Sequence, residues 1–193
     1  MDDIPIIYLN GVTSAGKTTL AKGLQHEIEA VILHVGIDAF IEMLPEAVQN
    51  DRQLYVENFS KFESGFHASI AALVAQSNNV VVDHVMSPEG LDAAIGIFSG
   101  LDVLFVGVHC SLEELERREV ERGDRRIGQA REQLEKIHKN AIYDIEIDTS
   151  ALSPELCVQQ IVDYVRCGGK PIAFDRMRQQ RDTPNRGARS GSN

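Results

Sequence analysis

Residues 11–18 read Gly11-Val12-Thr13-Ser14-Ala15-Gly16-Lys17-Thr18 and fit the pattern G-x-x-x-x-G-K-[ST]. That spacing suits phosphate. Glycines let the backbone curl until its N–H groups point inward at anionic oxygens. A helix N-terminus behind them adds partial positive charge. Lys17 then reaches the β- and γ-phosphates of a nucleotide, and the Thr18 hydroxyl holds Mg²⁺. The run follows an apolar stretch at 4–9 and opens a helical segment. This context separates a P-loop from an accidental Gly-rich turn. Nucleotide contacts are expected along Gly11, Val12, Thr13, Ser14, Ala15, Gly16, Lys17, Thr18 and Thr19, with ATP and Mg²⁺ as the cofactors.

In an open parallel sheet, ligands bind beyond the carboxyl ends of the strands. The residues that follow each apolar run therefore matter. Asp83 ends the run Val80-Val81-Val82, the Walker-B pattern, and is expected to hold the metal together with Thr18. The competing reading is an Asp that caps the next turn. Asp38 follows Gly36-Ile37 at the end of the second run. It is the candidate base, a carboxylate that takes the proton of an attacking hydroxyl late in a loose transition state. Its competing reading is helix N-capping of 39–43. Asp148-Thr149-Ser150 follows the fifth run and brings a further carboxylate to the same edge.

Arg118, Arg122 and Arg125 fall at i, i+4 and i+7, with Arg126 next. Phosphoryl transfer needs cations over the equatorial oxygens, and Arg is well shaped for that. Gly123-Asp124 interrupts the helical run and suits a mobile lid. A solvated charged face is the alternative, supported by the i,i+4 pairs Glu114/Arg118 and Glu121/Arg125; Arg117 is assigned to that face. The catalytic set expected is Lys17, Asp38, Arg122 and Arg125. The six histidines show no metal-ligand spacing, although His84, beside Asp83, is placed to touch substrate.

These residues need a scaffold. Short Val/Ile-rich runs at 5–9, 31–35, 80–85, 103–108 and 145–147 alternate with helix-length segments at 18–30, 54–76, 88–98, 112–122, 127–140 and 154–165. Continuous apolar runs of this length read as strands buried on both faces. Ser111 with Glu114 forms an expected capping box, and Ser153-Pro154 a cap followed by proline at the first helical position. The order predicts an α/β fold: a three-layer α/β/α sandwich of the P-loop NTPase type, with a five-stranded parallel sheet and an Arg-bearing lid.

The chain has 193 residues, enough for one buried core, and a net charge of −10 that repels a nucleic-acid backbone. From Lys170 onward six basic residues face two acidic ones. With little there to bury, 169–193 is read as a basic, disordered tail after a kinase domain at 1–168. A solubilising role for it is weighed against RNA or membrane binding. No apolar run approaches a membrane span, and the start of the chain lacks a signal-peptide pattern. The cysteines Cys110, Cys157 and Cys167 read as reduced thiols, which places the protein in the cytoplasm.

The chain resembles the chloramphenicol phosphotransferase family of P-loop kinases. The matching pieces are Ile7-Tyr8-Leu9-Asn10-Gly11 into the P-loop, Gly36-Ile37-Asp38 with Ile41-Glu42-Met43-Leu44-Pro45, and Val81-Val82-Asp83-His84-Val85. Further matches are the segments 101–108, Arg118 to Arg125, and Tyr143-Asp144-Ile145-Glu146-Ile147-Asp148-Thr149. The resemblance implies ATP-dependent O-phosphorylation of a hydroxyl on a small molecule, antibiotic or metabolite. It implies the base role at Asp38 and a lid whose arginines close over the phosphates. The family carries Arg where this chain has His109, Asp where it has His84, and a longer stretch after Pro45. Two other readings share the P-loop: a nucleotide or shikimate-type metabolite kinase, and a non-catalytic ATP-binding switch. The guanine-reading motif N-K-x-D is missing from the sequence, which counts against a GTPase.

Overall fold

The computed structural model describes residues 5–123 and 127–182. The five apolar runs form β1 (Ile6–Asn10), β2 (Ile32–Gly36), β3 (Asn79–His84), β4 (Val103–His109) and β5 (Ile145–Asp148). All pair in parallel, in the order β2-β3-β1-β4-β5. The sequence expectation of a five-stranded parallel sheet in a P-loop sandwich holds. β1 is central and buried along its whole length, which is why it carries no alternation of polar residues.

The helices among the described residues are α1 (Lys17–Glu27), α2 (Ile37–Ile41), α3 (Glu46–Asn50), α4 (Arg52–Ala75), α5 (Pro88–Ile97), α6 (Leu112–Arg122), α7 (Gln129–Ile137), α8 (Pro154–Arg166) and α9 (Ala173–Asp182). Side chains of β1 alternate between two cores. Ile7 and Leu9 face one core with Leu20 and Leu24 of α1 and Val158 and Ile161 of α8. Ile6 and Tyr8 face the other with Phe66 of α4, Leu91 of α5 and Phe174 of α9. No helix among the described residues is long and apolar enough to cross a membrane. The three cysteines are unpaired.

Local signals start the helices. Asp51 accepts hydrogen bonds from the Gln53 and Leu54 amides and begins α4. Ser153 accepts from the Leu156 amide ahead of α8. The expected capping box at α6 is only half made. Ser111 accepts from the Glu114 amide, but the Glu114 carboxylate turns forward to Arg117 and Arg118. The Ser111 N–H goes instead to Ser150 Oγ at 3.2 Å.

The reading of 169–193 as disordered is corrected for its first part. Residues 173–182 form α9, and Ala173, Phe174 and Met177 are buried in the second core. Phe174 meets Phe105 edge-on, with ring centroids 5.1 Å apart. Asp144 supplies the start of the helix from afar. Its Oδ1 accepts from the Ile172 and Ala173 amides at 2.8 Å each, and its Oδ2 from the Phe105 amide at 2.9 Å. Burial pushes the Asp144 carboxyl up, and these amides act against it. Residues 183–193 lie outside the described residues.

A helix that completes a core must contribute stability. Phe174→Ala is expected to destabilise the protein by about 3–5 kcal/mol in urea unfolding followed by circular dichroism, the range for truncating a buried Phe. A tail without packing would give no change.

Candidate active site

The P-loop joins β1 to α1 under tight steric control. A Cβ on Gly11 would lie 2.3 Å from the Val108 carbonyl oxygen of β4, so only glycine fits. Gly16 (φ 90°) is the N-cap of α1 and makes no side-chain cap. Ser14 also takes a positive φ of 61°. The first amides of α1 are therefore left without a side-chain acceptor and face a cleft, the arrangement that receives an anion. Of the expected contact residues, Thr13, Ser14, Gly16, Lys17, Thr18 and Thr19 line this cleft of about 1030 Å³. Val12 and Ala15 are buried and anchor the loop from behind, as Gly11 does.

Lys17 is 6% exposed. Its Nζ donates to the Val12 carbonyl at 2.8 Å and lies 4.0 Å from Asp83 Oδ1. The Thr18 hydroxyl donates to Asp83 Oδ2 at 2.5 Å, and His34 Nε2 stands 3.8 Å from the same oxygen. Burial alone would raise the Asp83 carboxyl. His34, the Lys17 charge and the Thr18 hydroxyl outweigh it and hold the group below its ordinary value, hence ionised. The structure thus brings together Lys17, Thr18 and Asp83. A hydroxyl and an ionised carboxylate side by side at the P-loop are the hard oxygen donors that suit Mg²⁺.

Asp38 is exposed on the cleft wall, in the first turn of α2. The N-cap of that helix is Gly36, so the capping alternative for Asp38 does not hold. The same wall carries Ile37, Ile41 and, from the first turns of α4, Tyr55 and Phe59. Asp148, expected at the same edge, is not on the wall. Its Oδ1 accepts from the Ser150 amide and hydroxyl at 2.8 and 2.5 Å.

The arginines of α6 divide. Arg117 is exposed and pairs with Glu114 and Glu121, yet it borders the cleft. Arg118 donates to the Ser14 carbonyl at 3.3 Å, to Thr149 Oγ1 at 3.2 Å and to the Thr149 carbonyl at 2.9 Å. It clamps the P-loop to the turn after β5, a role that sequence spacing gave no sign of. Arg122 borders the cleft from the last turn of α6. Arg125, with Asp124 and Arg126, lies outside the described residues. Glu119 was not singled out, but it ties α6 to the start of α7. Fully buried on α6, it accepts from the Gly128 and Ala130 amides at 2.9 and 2.7 Å and so starts α7. Gln133 of α7 in turn accepts from the Thr13 amide at 2.8 Å.

His84, expected to touch substrate, borders the cleft but is 1% exposed. Its Nδ1 meets the Tyr8 hydroxyl at 2.8 Å and its Nε2 lies 3.3 Å from Glu63 Oε1. Tyr8 also meets His67 Nε2 at 2.8 Å. Burial drives this group toward neutrality. It pushes Glu63 up to about 7, aided by Glu89, and His67 down to about 4. His84 is lowered by burial and by His67 and Lys17.

Comparison with known proteins bears on the family and the fold. A family model described as chloramphenicol phosphotransferase-like protein matches residues 5–166. A Mycobacterium tuberculosis protein provisionally named an O-phosphotransferase is 32% identical over 203 aligned positions, covering 93% of this chain and 90% of its own. Among solved structures, the Mycobacterium tuberculosis APS kinase superposes with a TM-score of 0.60 at 17% identity, covering 85% of this chain and 98% of its own. A sugar kinase from Janibacter gives 0.63 at 15%, covering 86% and 96%. At these identities the two structures speak to the fold.

The two neighbouring arginines differ in what they hold. Arg118→Ala is expected to cost about 1.5–3 kcal/mol in urea unfolding, because charge-assisted bonds to two backbone carbonyls are lost. Arg117→Ala, which removes only exposed pairs, should leave the urea midpoint close to wild type.

Proposed function

The chain belongs to the chloramphenicol phosphotransferase-like family, and from that premise we propose that it transfers the γ-phosphoryl group of ATP to a hydroxyl of a neutral small molecule with an apolar body. The observation that carries this reading is the cleft itself. It is lined by the P-loop with the Lys17, Thr18 and Asp83 cluster, by Asp38, and by apolar side chains that include Ile37, Ile41, Tyr55 and Phe59.

Each residue has a part that follows from its place. The uncapped amides at the start of α1 and the Lys17 ammonium bind the triphosphate. Thr18 and Asp83 would hold Mg²⁺, which when bound neutralises charge on the β- and γ-oxygens. Asp38 orients the acceptor hydroxyl and accepts its proton as the bond to phosphorus forms. Arg122 stands where a cation can cover the transferring group, and Arg125 is assigned the same role. Arg118 positions the P-loop and touches no reacting atom.

The acceptor class follows from which side chains lie where. Among the described residues, the Lys and Arg side chains on the cleft wall are Lys17, Arg117, Arg118 and Arg122, all from the P-loop or α6. Away from those two elements the wall includes Ile37, Ala39, Ile41, Tyr55 and Phe59 beside Asp38 in α2 and the start of α4. An anionic acceptor such as a carboxylic acid or a nucleotide needs a cation there. A neutral alcohol with an aromatic or aliphatic body needs only apolar contact and one carboxylate.

The test is a panel of hydroxyl compounds incubated with ATP and Mg²⁺ and read by ³¹P NMR. Phosphate esters of neutral, apolar alcohols are the expected products. Transfer confined to shikimate-like acids or nucleotides would overturn the acceptor class. Asp38→Asn should lower turnover by about 10²- to 10⁴-fold while leaving ATP affinity unchanged. Lys17→Met should instead weaken ATP binding by calorimetry.

A further inference from the structure

Beneath the nucleotide cleft, Glu63 and His67 of α4 meet His84 of β3. One ligand atom from each lies within 4.8 Å of the other two. The three residues are 4%, 0% and 1% exposed. Glu63 Oε1 and His84 Nε2 lie 3.3 Å apart without completing a hydrogen bond, and His67 Nδ1 has no hydrogen-bond partner. A buried polar atom without a partner costs about 1–3 kcal/mol, so a ligand shared by these atoms would relieve the cluster.

We propose that Glu63, His67 and His84 bind one divalent transition-metal ion, with Zn²⁺ the best chemical match. Glu63 and His67 are four apart on one helix and therefore share a face. Two imidazoles with one carboxylate form a nitrogen-rich set that suits zinc and not Mg²⁺ or Ca²⁺. The Tyr8 hydroxyl meets the opposite nitrogen of each ring at 2.8 Å. Metal-bound histidines take such a partner on the other nitrogen, and a phenol oxygen has two lone pairs to receive both N–H groups. Helix α5 leaves room for the carboxylate: a Cβ on Gly90 would lie 2.2 Å from Glu63 Oε1.

The site is distinct from the Thr18 and Asp83 pair. His84 follows Asp83 on the same strand, so an ion here would brace the strand end that carries Asp83.

The experiment uses the full chain, stripped with a chelator and kept in saturating Mg²⁺ to engage Thr18 and Asp83. Titration with Zn²⁺ alone should show one equivalent bound with a sub-micromolar dissociation constant. Co²⁺ should give a visible spectrum of low coordination number that Zn²⁺ abolishes. His67→Gln and Glu63→Gln should each weaken binding by about 100-fold, and His34→Gln should not change it. If those variants fail to fold, X-ray absorption on the zinc-loaded wild type decides, with two imidazole ligands expected. Absence of saturable binding, as for a cluster that holds only water, overturns the proposal. So does binding that survives His67→Gln but is lost in His34→Gln.

Discussion

A lysine ammonium that is 6% exposed must be matched by a carboxylate, and this protein matches it with Asp83. An unpaired charge at such depth is too costly to persist. The pairing depends on register. β1 and β3 are parallel neighbours with Leu9 opposite Asp83, so the loop that leaves β1 hangs over the end of β3. The register is in turn held by burial. Val81 faces one core while Val80 and Val82 face the other. A slip of one residue would exchange every side chain between the two faces, turn Asp83 into a helix layer and bring His84 to Lys17. The pairing of Lys17 with Asp83 is thus a consequence of how three valines are packed.

Much of this was legible in the sequence, because the same constraint writes the pattern. Strands covered on both faces must be continuously apolar, and five such runs gave five strands. Looking just past each run found Asp38 and Asp83, since the sheet topology sends all strand ends to one edge. Asp148 also reaches that edge but not the cleft wall, because the next turn supplies Ser150 as a local partner. Composition failed at α9. Arginine and glutamine dominate that segment, yet Ala173, Phe174 and Met177 suffice for one turn-by-turn contact with the core, and the helix start is supplied by Asp144 from nearly thirty residues away. The contacts of Arg118, and Glu119 and the Glu63 and His67 pair altogether, were missed for a shared reason. Their partners are set by how helices cross, and a helix read for its apolar stripe of Phe59, Phe62, Phe66, Ile70 and Leu73 hides the polar residues that share the buried side.

The helix α6 shows how one charged segment serves both rigidity and chemistry. Arg118 is committed to carbonyl oxygens of the P-loop and of Thr149, and Glu119 to the amides that begin α7. Both face inward and are held by backbone groups, which do not move independently of the fold. Arg122, one turn further along, borders the cleft at the point where Gly123, with φ 66°, ends the helix. A left-handed glycine there lets the chain change direction without strain. Charge committed to the backbone and charge that borders the cleft are therefore separated by a single turn.

The two cores are not chemically alike, and the difference bears on the site. The face carrying α1 and α8 is apolar beneath the P-loop, so it transmits packing alone. The face carrying α4 encloses Tyr8, Glu63, His67 and His84 directly behind Asp83. Replacing such a group with apolar residues can leave stability unchanged or even raise it, but removing one member strands the others. A polar cluster of this kind fixes relative position more sharply than oily contact does, because hydrogen bonds and ligand bonds are directional. It ties α4, which carries Tyr55 and Phe59 of the cleft wall, to β3, which carries Asp83. The spacing between these two parts of the cleft is accordingly governed from below.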